Sequence, residues 1–538
     1  MATWYRTILF VAAITCSLAL LTASLLKPEA FPEPDPYPGK GVAEAVEKVD
    51  EAFAAYWARN QVEASARAPV ILIARRLSLG LTGTIPSLEE IRALEAQTEE
   101  KAVDWWCSHL LADPRTSDYL AERLARVLVG VENGPFLVYR RRRFVNWLSE
   151  RLRANTPYDV LVRELITAEG TWTSSPEANF ITVSIDQNAK TGPSESKLAG
   201  RLTRAFLGVR LDCVECHNDF LHDQWKQKDF HQLAAFFGPA SSGMSGVRDE
   251  DQPYRYALRR GGDLEEIQPA VPFHPELLPE AGSLRERLAD WVTDPGNRAF
   301  ARSAVNRIWA LMFGRALASP VDEIPLEAPY PPGMEILADD FIQHGYDLHR
   351  LIRVIAASRA FQRNSIPGHG EGHVTPQQEQ HWAAFGMHRL RPEQVAGSIL
   401  QAASLETIDA SAHIIRRIAR AGEQNEFIKR FGDMGEDEFH DQGGSIPQRL
   451  MMMNGDLIEK RTRDDLVMNA ATRLAVLTKN NETAIESAYL TVLSRRPVPE
   501  ESAYFAAKLK DARGKERKNI MQDLFWALLN STEFSWGH

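Results

Sequence analysis

NRAFARSAVNRIWALMFG, residues 297–314, sets the character of this chain. Apolar residues fall at 300, 304, 305, 308, 309 and 312, the three-and-four spacing of a helix face. Gly314 follows directly, where a helix stop needs a residue that tolerates left-handed backbone. The same spacing predicts helices over 41–60, 144–152, 157–166, 347–361, 392–402, 484–493, 500–509 and 520–529, and one helical stretch over 110–130. Further helices are expected at 198–211 and 229–237. Ser87 with Glu90, and Ser283 with Glu286, read as capping boxes that fix two more helix starts. Strand signals are sparse, so the expected fold class is mainly α.

Residues 238–275 break this pattern. Gly, Ser and Pro accumulate there, and 254–258 alternates only weakly. The stretch reads as an irregular linker with at most a small β element. It divides the chain into a helical domain over 66–238, a linker over 239–275 and a second helical domain over 276–538. One internal echo is visible. Residues 76–90 and 493–501 each read as a helix, a Pro turn and a second helix opened by acids.

The N-terminal segment predicts export of the bulk of the chain. Arg6 precedes an apolar run over residues 8–26. As a helix that run spans roughly 28 Å, close to the thickness of a bilayer core. It is longer than the h-region of a cleaved signal, and only Thr22-Ala23-Ser24 offers a weak cleavage site. Residues 1–27 are read as a signal anchor, with a cleaved signal peptide as the alternative. Arg6 before the run and Glu29, Glu33 and Asp35 after it favour the N-terminus inside and the bulk of the chain outside. Residues 28–65 then form a Pro-rich spacer and a short helix. The expected location is the inner membrane with the bulk in the periplasm, or secretion if the signal is cut. A formal net charge of −10 argues against a nucleic-acid partner. The basic run Arg140 to Arg143 reads first as a solvated helix face; a role with haem propionates or a lipid surface is the other reading.

Residues 213–217 read Cys-Val-Glu-Cys-His. Cys-x-x-Cys-His is the attachment signature of c-type haem. Two thiols at this spacing on a tight turn reach the two vinyl groups on one porphyrin edge, and the next residue sets an imidazole on the iron. Cys213 and Cys216 are thus the expected thioether ligands of haem c, and His217 the proximal ligand. Two other readings stay open. A zinc site would need four ligands, of which three already sit in the pentapeptide. A redox Cys-x-x-Cys would lack its usual βαβ context. The candidates for a distal haem ligand are His231, Met244 and His222. Cys107, beside Trp105 and Trp106, reads as a buried apolar thiol.

The chain resembles the planctomycete cytochrome-c-like two-domain proteins, which pair an N-terminal domain of unknown function with a C-terminal partner. The stretches that carry the resemblance include Leu79-Gly80-Leu81-Thr82-Gly83, the run 206–211 into Cys213–His217, Asp229 to Phe237, Arg302 to Trp309, Phe313-Gly314-Arg315, Pro320-Val321-Asp322, His344 to Leu348 and Leu528 to Phe534. The resemblance implies export and covalent haem, and no reaction. Many members of that family carry a second His two residues after the first; here that place is Asp219. The expected function is a membrane-tethered mono-haem c-type protein that passes electrons to a partner protein, tethered through residues 8–26. The alternatives are an enzyme using haem or a Cys/His-bound metal, and a non-catalytic surface-assembly protein.

Overall fold

The computed structural model describes residues 41–538, apart from 132–138, 172, 186–191, 219–224, 259–261, 366–373, 409–423, 425, 433–438 and 440–444. The expected anchor over 8–26 and the Pro run after it lie outside the described residues. Among the described residues no helix is long and apolar enough to cross a membrane.

The protein is mainly helical. Strands occur among the described residues as three short antiparallel pairs. Ala240–Gly243 pairs with Gly246–Asp249, and Arg255–Tyr256 with Glu265–Glu266, so a small β element does stand in the 239–275 segment. The third pair joins His388–Arg389 to Trp536–Gly537 near the end of the chain.

The helix Arg298–Phe313 shows why spacing alone understates burial. Its apolar stripe predicts one covered face. In the structure every residue from Ala299 to Phe313 is buried, which makes it a central helix rather than a surface one. Phe300 stacks on Tyr158 at 5.4 Å, and Trp309 stacks on Phe53 at 5.7 Å. Its backbone also meets the helix Val70–Thr82 at Gly80. A Cβ there would stand 3.2 Å from Met312 Cα and 3.3 Å from the Leu311 carbonyl, so a larger residue would push the two helix backbones apart by a few tenths of an ångström. The helix stops at Gly314 in the left-handed region, at φ 76°.

Apolar side chains from both sides of the 239–275 segment join one core that runs from Ala45 to Phe385. A second core gathers Leu390 to Phe534, with Leu79 and Ile85 reaching into it from the first half. The helix Val70–Thr82 therefore serves both. It also carries two buried guanidiniums that reach across the chain. Arg75 donates to the Val492 and Phe534 carbonyls, and Arg76 to the carbonyls of Phe361, Arg363 and His538. Burial pulls Arg76 down to about 9 and Arg75 down to about 10.

The expected helical stretch over 110–130 is two helices, Glu99–Ala112 and Pro114–Val129. Pro114 sits at the first helical position and the Asp113 carboxylate accepts from the Arg115 N–H, a combination that starts a helix. Both predicted capping boxes form, at Ser87 with Glu90 and at Ser283 with Glu286. The echoed segments take matching shapes, Val70–Thr82 with Leu88–Glu95 and Asn481–Leu493 with Pro499–Leu509. They meet through ion pairs from Arg92 to Glu486 and from Arg496 to Glu95.

Candidate functional site

The approach to Cys213 is fixed by the second half of the chain. The helix Glu195–Leu202 widens into a π turn, Thr203–Leu207, and ends at Gly208 with φ 61°. The Gly208 carbonyl accepts from the Ile324 N–H at 2.7 Å, and a Cβ at Gly208 would lie 2.9 Å from Ile324 Cδ1. Ser303 Oγ donates to the Ala205 carbonyl at 3.4 Å. Two arginines flanking Gly208 converge on one buried acid. Arg204 Nε donates to Asp322 Oδ2 at 2.9 Å, and Arg210 Nη2 to Oδ1 at 2.7 Å. Burial alone would raise the Asp322 carboxyl; the hydrogen bonds from Arg210 and Arg204 overcome it and hold the group below its ordinary value.

The motif itself is a tight 3₁₀ turn, Asp212–Glu215, with Cys216 closing it. Val214 is buried and pins the turn, while Cys213, Cys216 and His217 are exposed. Both cysteines are free thiols. His217 Nδ1 lies 2.8 Å from the Asn218 carbonyl, which can only accept. Nδ1 therefore carries a proton and donates to that carbonyl. A backbone carbonyl holding the other ring N–H is the usual support of a metal-ligating histidine.

The turn is clipped to the helix Gln227–Ala234. The Glu215 carbonyl accepts from Gln227 Nε2 and from His231 Nε2, each at 3.0 Å. The Gln227 N–H donates to Asn218 Oδ1 at 2.9 Å. Because the carbonyl cannot donate, His231 carries its proton on Nε2, and Nδ1 accepts from the Tyr254 hydroxyl at 2.8 Å. The ring is fully buried and stacks on Tyr256 at 3.5 Å. Burial lowers the His231 pKa and keeps the ring neutral, and burial pushes Tyr254 up to about 12, so it remains a donor.

The other sequence candidates fall as follows. The structure places His231 behind the loop with both ring nitrogens engaged, as a clip. Met244 stands fully exposed at the turn of the hairpin Ala240–Gly243 and Gly246–Asp249. His222 and Asp219 lie outside the described residues. Among the described residues no three His, Cys, Asp or Glu side chains gather as a metal-ligand set. Cys107 is buried, and burial pushes its thiol up to about 12. In the basic run, Arg142 and Arg143 are exposed, while Arg141 forks onto Glu122 at 2.8 and 2.9 Å.

A cleft of about 510 Å³ opens beside the motif. Asp212 and Glu215 of the turn lie in its wall. Lys197, Arg201, Arg204 and Arg210 line it from before the 239–275 segment, and Arg307, Arg315 and Asp322 from after it. Sequence reading did not find these arginines as a group. They come from three separate segments and meet only in the fold.

The His231 clip has a testable pH signature. His231→Phe keeps the ring volume and loses both hydrogen bonds, at a cost of about 2 kcal/mol. The unfolded ring takes up its proton near 6.5, the folded ring only at lower pH. This contribution is full above about 6.5 and is lost as pH falls below it toward the folded value. Urea unfolding should therefore show the wild type and His231→Phe drawing together from pH 7 to pH 5. An equal gap at both pH values would contradict the clip.

Comparison with known families matches residues 48–242 to PSCyt2, described as a protein of unknown function (DUF1549), and residues 284–509 to PSD1, described as a protein of unknown function (DUF1553). The chain carries these two domains in this order, the pairing typical of a planctomycete-type family. No curated protein and no solved structure matches it.

Proposed function

We propose that the protein is a mono-haem c-type electron-transfer protein, exported and held at the membrane by residues 8–26. The observation that carries this reading is the geometry of the 212–217 turn. It presents two free, exposed thiols at the attachment spacing, with the adjacent imidazole tied through Nδ1 to the Asn218 carbonyl.

The residues fit the group. Cys213 and Cys216 would hold the porphyrin edge, and His217 would ligate the iron through Nε2. When bound, the haem supplies one-electron chemistry, while the protein sets access and potential. Val214 fixes the turn from below, and His231 with Gln227 holds the Glu215 carbonyl so that the two thiols keep their spacing. Asp322 draws Arg204 and Arg210 together, which fixes the approach to Cys213. The redox partner is read as a protein, not a nucleic acid.

An enzymatic reading has one specific observation in its favour. The cleft beside the turn, of about 510 Å³, is lined by residues of both family domains, and sites often form where two domains meet.

Expression with haem-maturation machinery tests the main reading. The wild type should keep its haem through acid-acetone extraction, and the double variant Cys213→Ser, Cys216→Ser should lose all of it. Colourless protein carrying stoichiometric zinc would overturn the reading.

A further inference from the structure

The cleft beside the motif contains an arginine with no ion pair among the described residues. Arg307 projects from the central helix Arg298–Phe313, is 5% exposed, and lines the cleft. No hydrogen bond or ion pair joins it to the described residues, and its guanidinium nitrogens stay accessible from the cleft rather than sealed in the core. The neighbouring guanidiniums differ. Arg204 and Arg210 are spent on Asp322, and Arg315 donates to the Glu379 carbonyl and lies 3.7 Å over the Trp382 ring.

A guanidinium that faces a cleft with no protein anion paired to it is available to an anionic ligand. Among the described residues, six cationic side chains against three carboxylates line this cleft, in a chain whose formal net charge is −10. A concave wall of one sign concentrates counter-charge. The volume of about 510 Å³ lies within the range of small-molecule sites. The planar fork of an arginine matches a carboxylate or a phosphate in bidentate fashion.

We propose that this cleft binds a small-molecule carboxylate or phosphate, with Arg307 as the residue that takes the anion. The anion has two possible sources, the propionates of an attached haem or a diffusible metabolite. The inference does not rest on the haem reading, because the unpaired arginine and the cleft exist without it.

The test uses the full chain made without haem-maturation machinery, titrated at low ionic strength with inorganic phosphate and with succinate. At least one probe should bind saturably at one site. Arg307→Gln should weaken that binding tenfold or more, and Arg307→Lys should weaken it less. Arg430→Gln, at an exposed position outside the cleft, should leave it unchanged. Should Arg307→Gln fail to fold, Asp322→Asn carries the test: removing a carboxylate from the wall should tighten probe binding several-fold. Repeating the titration on haem-loaded protein separates the sources. Lost binding assigns the site to the propionates, and retained binding assigns it to a diffusible anion. Saturable binding of neither probe to the wild type, or equal affinity in a folded Arg307→Gln, would overturn the inference, as would unchanged affinity in Asp322→Asn.

Discussion

A chain ended after residue 275 should lose cooperative unfolding altogether. The first core draws on both sides of that point, and the helix Arg298–Phe313 runs through its centre. The cut removes Phe300, Trp309 and Phe313, all buried, among many other core residues. Each large aromatic lost from a core costs about 3–5 kcal/mol. Three such losses already match the total stability of an ordinary domain, about 5–15 kcal/mol. The cut also leaves Arg204 and Arg210 without Asp322, and Gly208 without its bond from Ile324. The shortened chain should keep helical far-UV signal, lose near-UV signal and show no sigmoidal urea transition. A sharp transition with native near-UV signal would show that residues 41–275 fold alone and that the shared core is not needed.

Glu90→Gln should destabilise the full chain by about 3 kcal/mol above pH 5. Glu90 is 1% exposed and serves two roles. It closes the capping box with Ser87, and it accepts from Arg115 Nη2 at 2.5 Å. Burial would raise its carboxyl. The charge of Arg115, with the nearby His109 ring and hydrogen bonds from the Ser87 N–H and Arg115, overcomes that and holds it at about 2. An unfolded glutamate takes up its proton near 4.5, so Glu90 contributes in full above that value. The contribution is lost as pH falls from there through about 2, a displacement equivalent to about 3 kcal/mol. Arg115 keeps a second partner in Asp113 at 2.7 Å, which places the cost at the low end for a broken buried pair. Urea unfolding should show the gap between wild type and Glu90→Gln closing between pH 5 and pH 2. A constant gap would mean that the pair is not held as described.

Local signals made much of the fold legible. The capping boxes at Ser87 and Ser283, the stop at Gly314 and the helix Pro392–Ala402 are decided by neighbours within a turn or two, and the sequence displays those neighbours directly. The break between Ala112 and Pro114 was equally local, since Asp-Pro is a helix start, but the apolar spacing runs through it and hides it. What no local pattern could show is which faces meet. Arg75 reaches the Val492 carbonyl across 417 positions, and a dibasic pair on a helix reads as surface until the fold buries it. The site divides in the same way. Cys213, Cys216 and His217 are contiguous and carry their spacing in the sequence. His231 drew attention as a nearby imidazole, but its role follows from burial beneath the Glu215 carbonyl, which depends on how the helix Gln227–Ala234 folds back. The cleft arginines were invisible because Arg201 and Arg307 are separated by the whole 239–275 segment.

The central claim is covalent haem on Cys213 and Cys216. The most direct measurement is the pyridine haemochrome spectrum of the purified full chain, taken beside total iron and zinc. The account predicts one haem per chain, with the band position of a haem whose two vinyl groups are both saturated by thioethers. Replacing either cysteine alone should shift the band toward that of a singly attached haem. A spectrum without haem, or haem that extracts freely from the wild type, would contradict it.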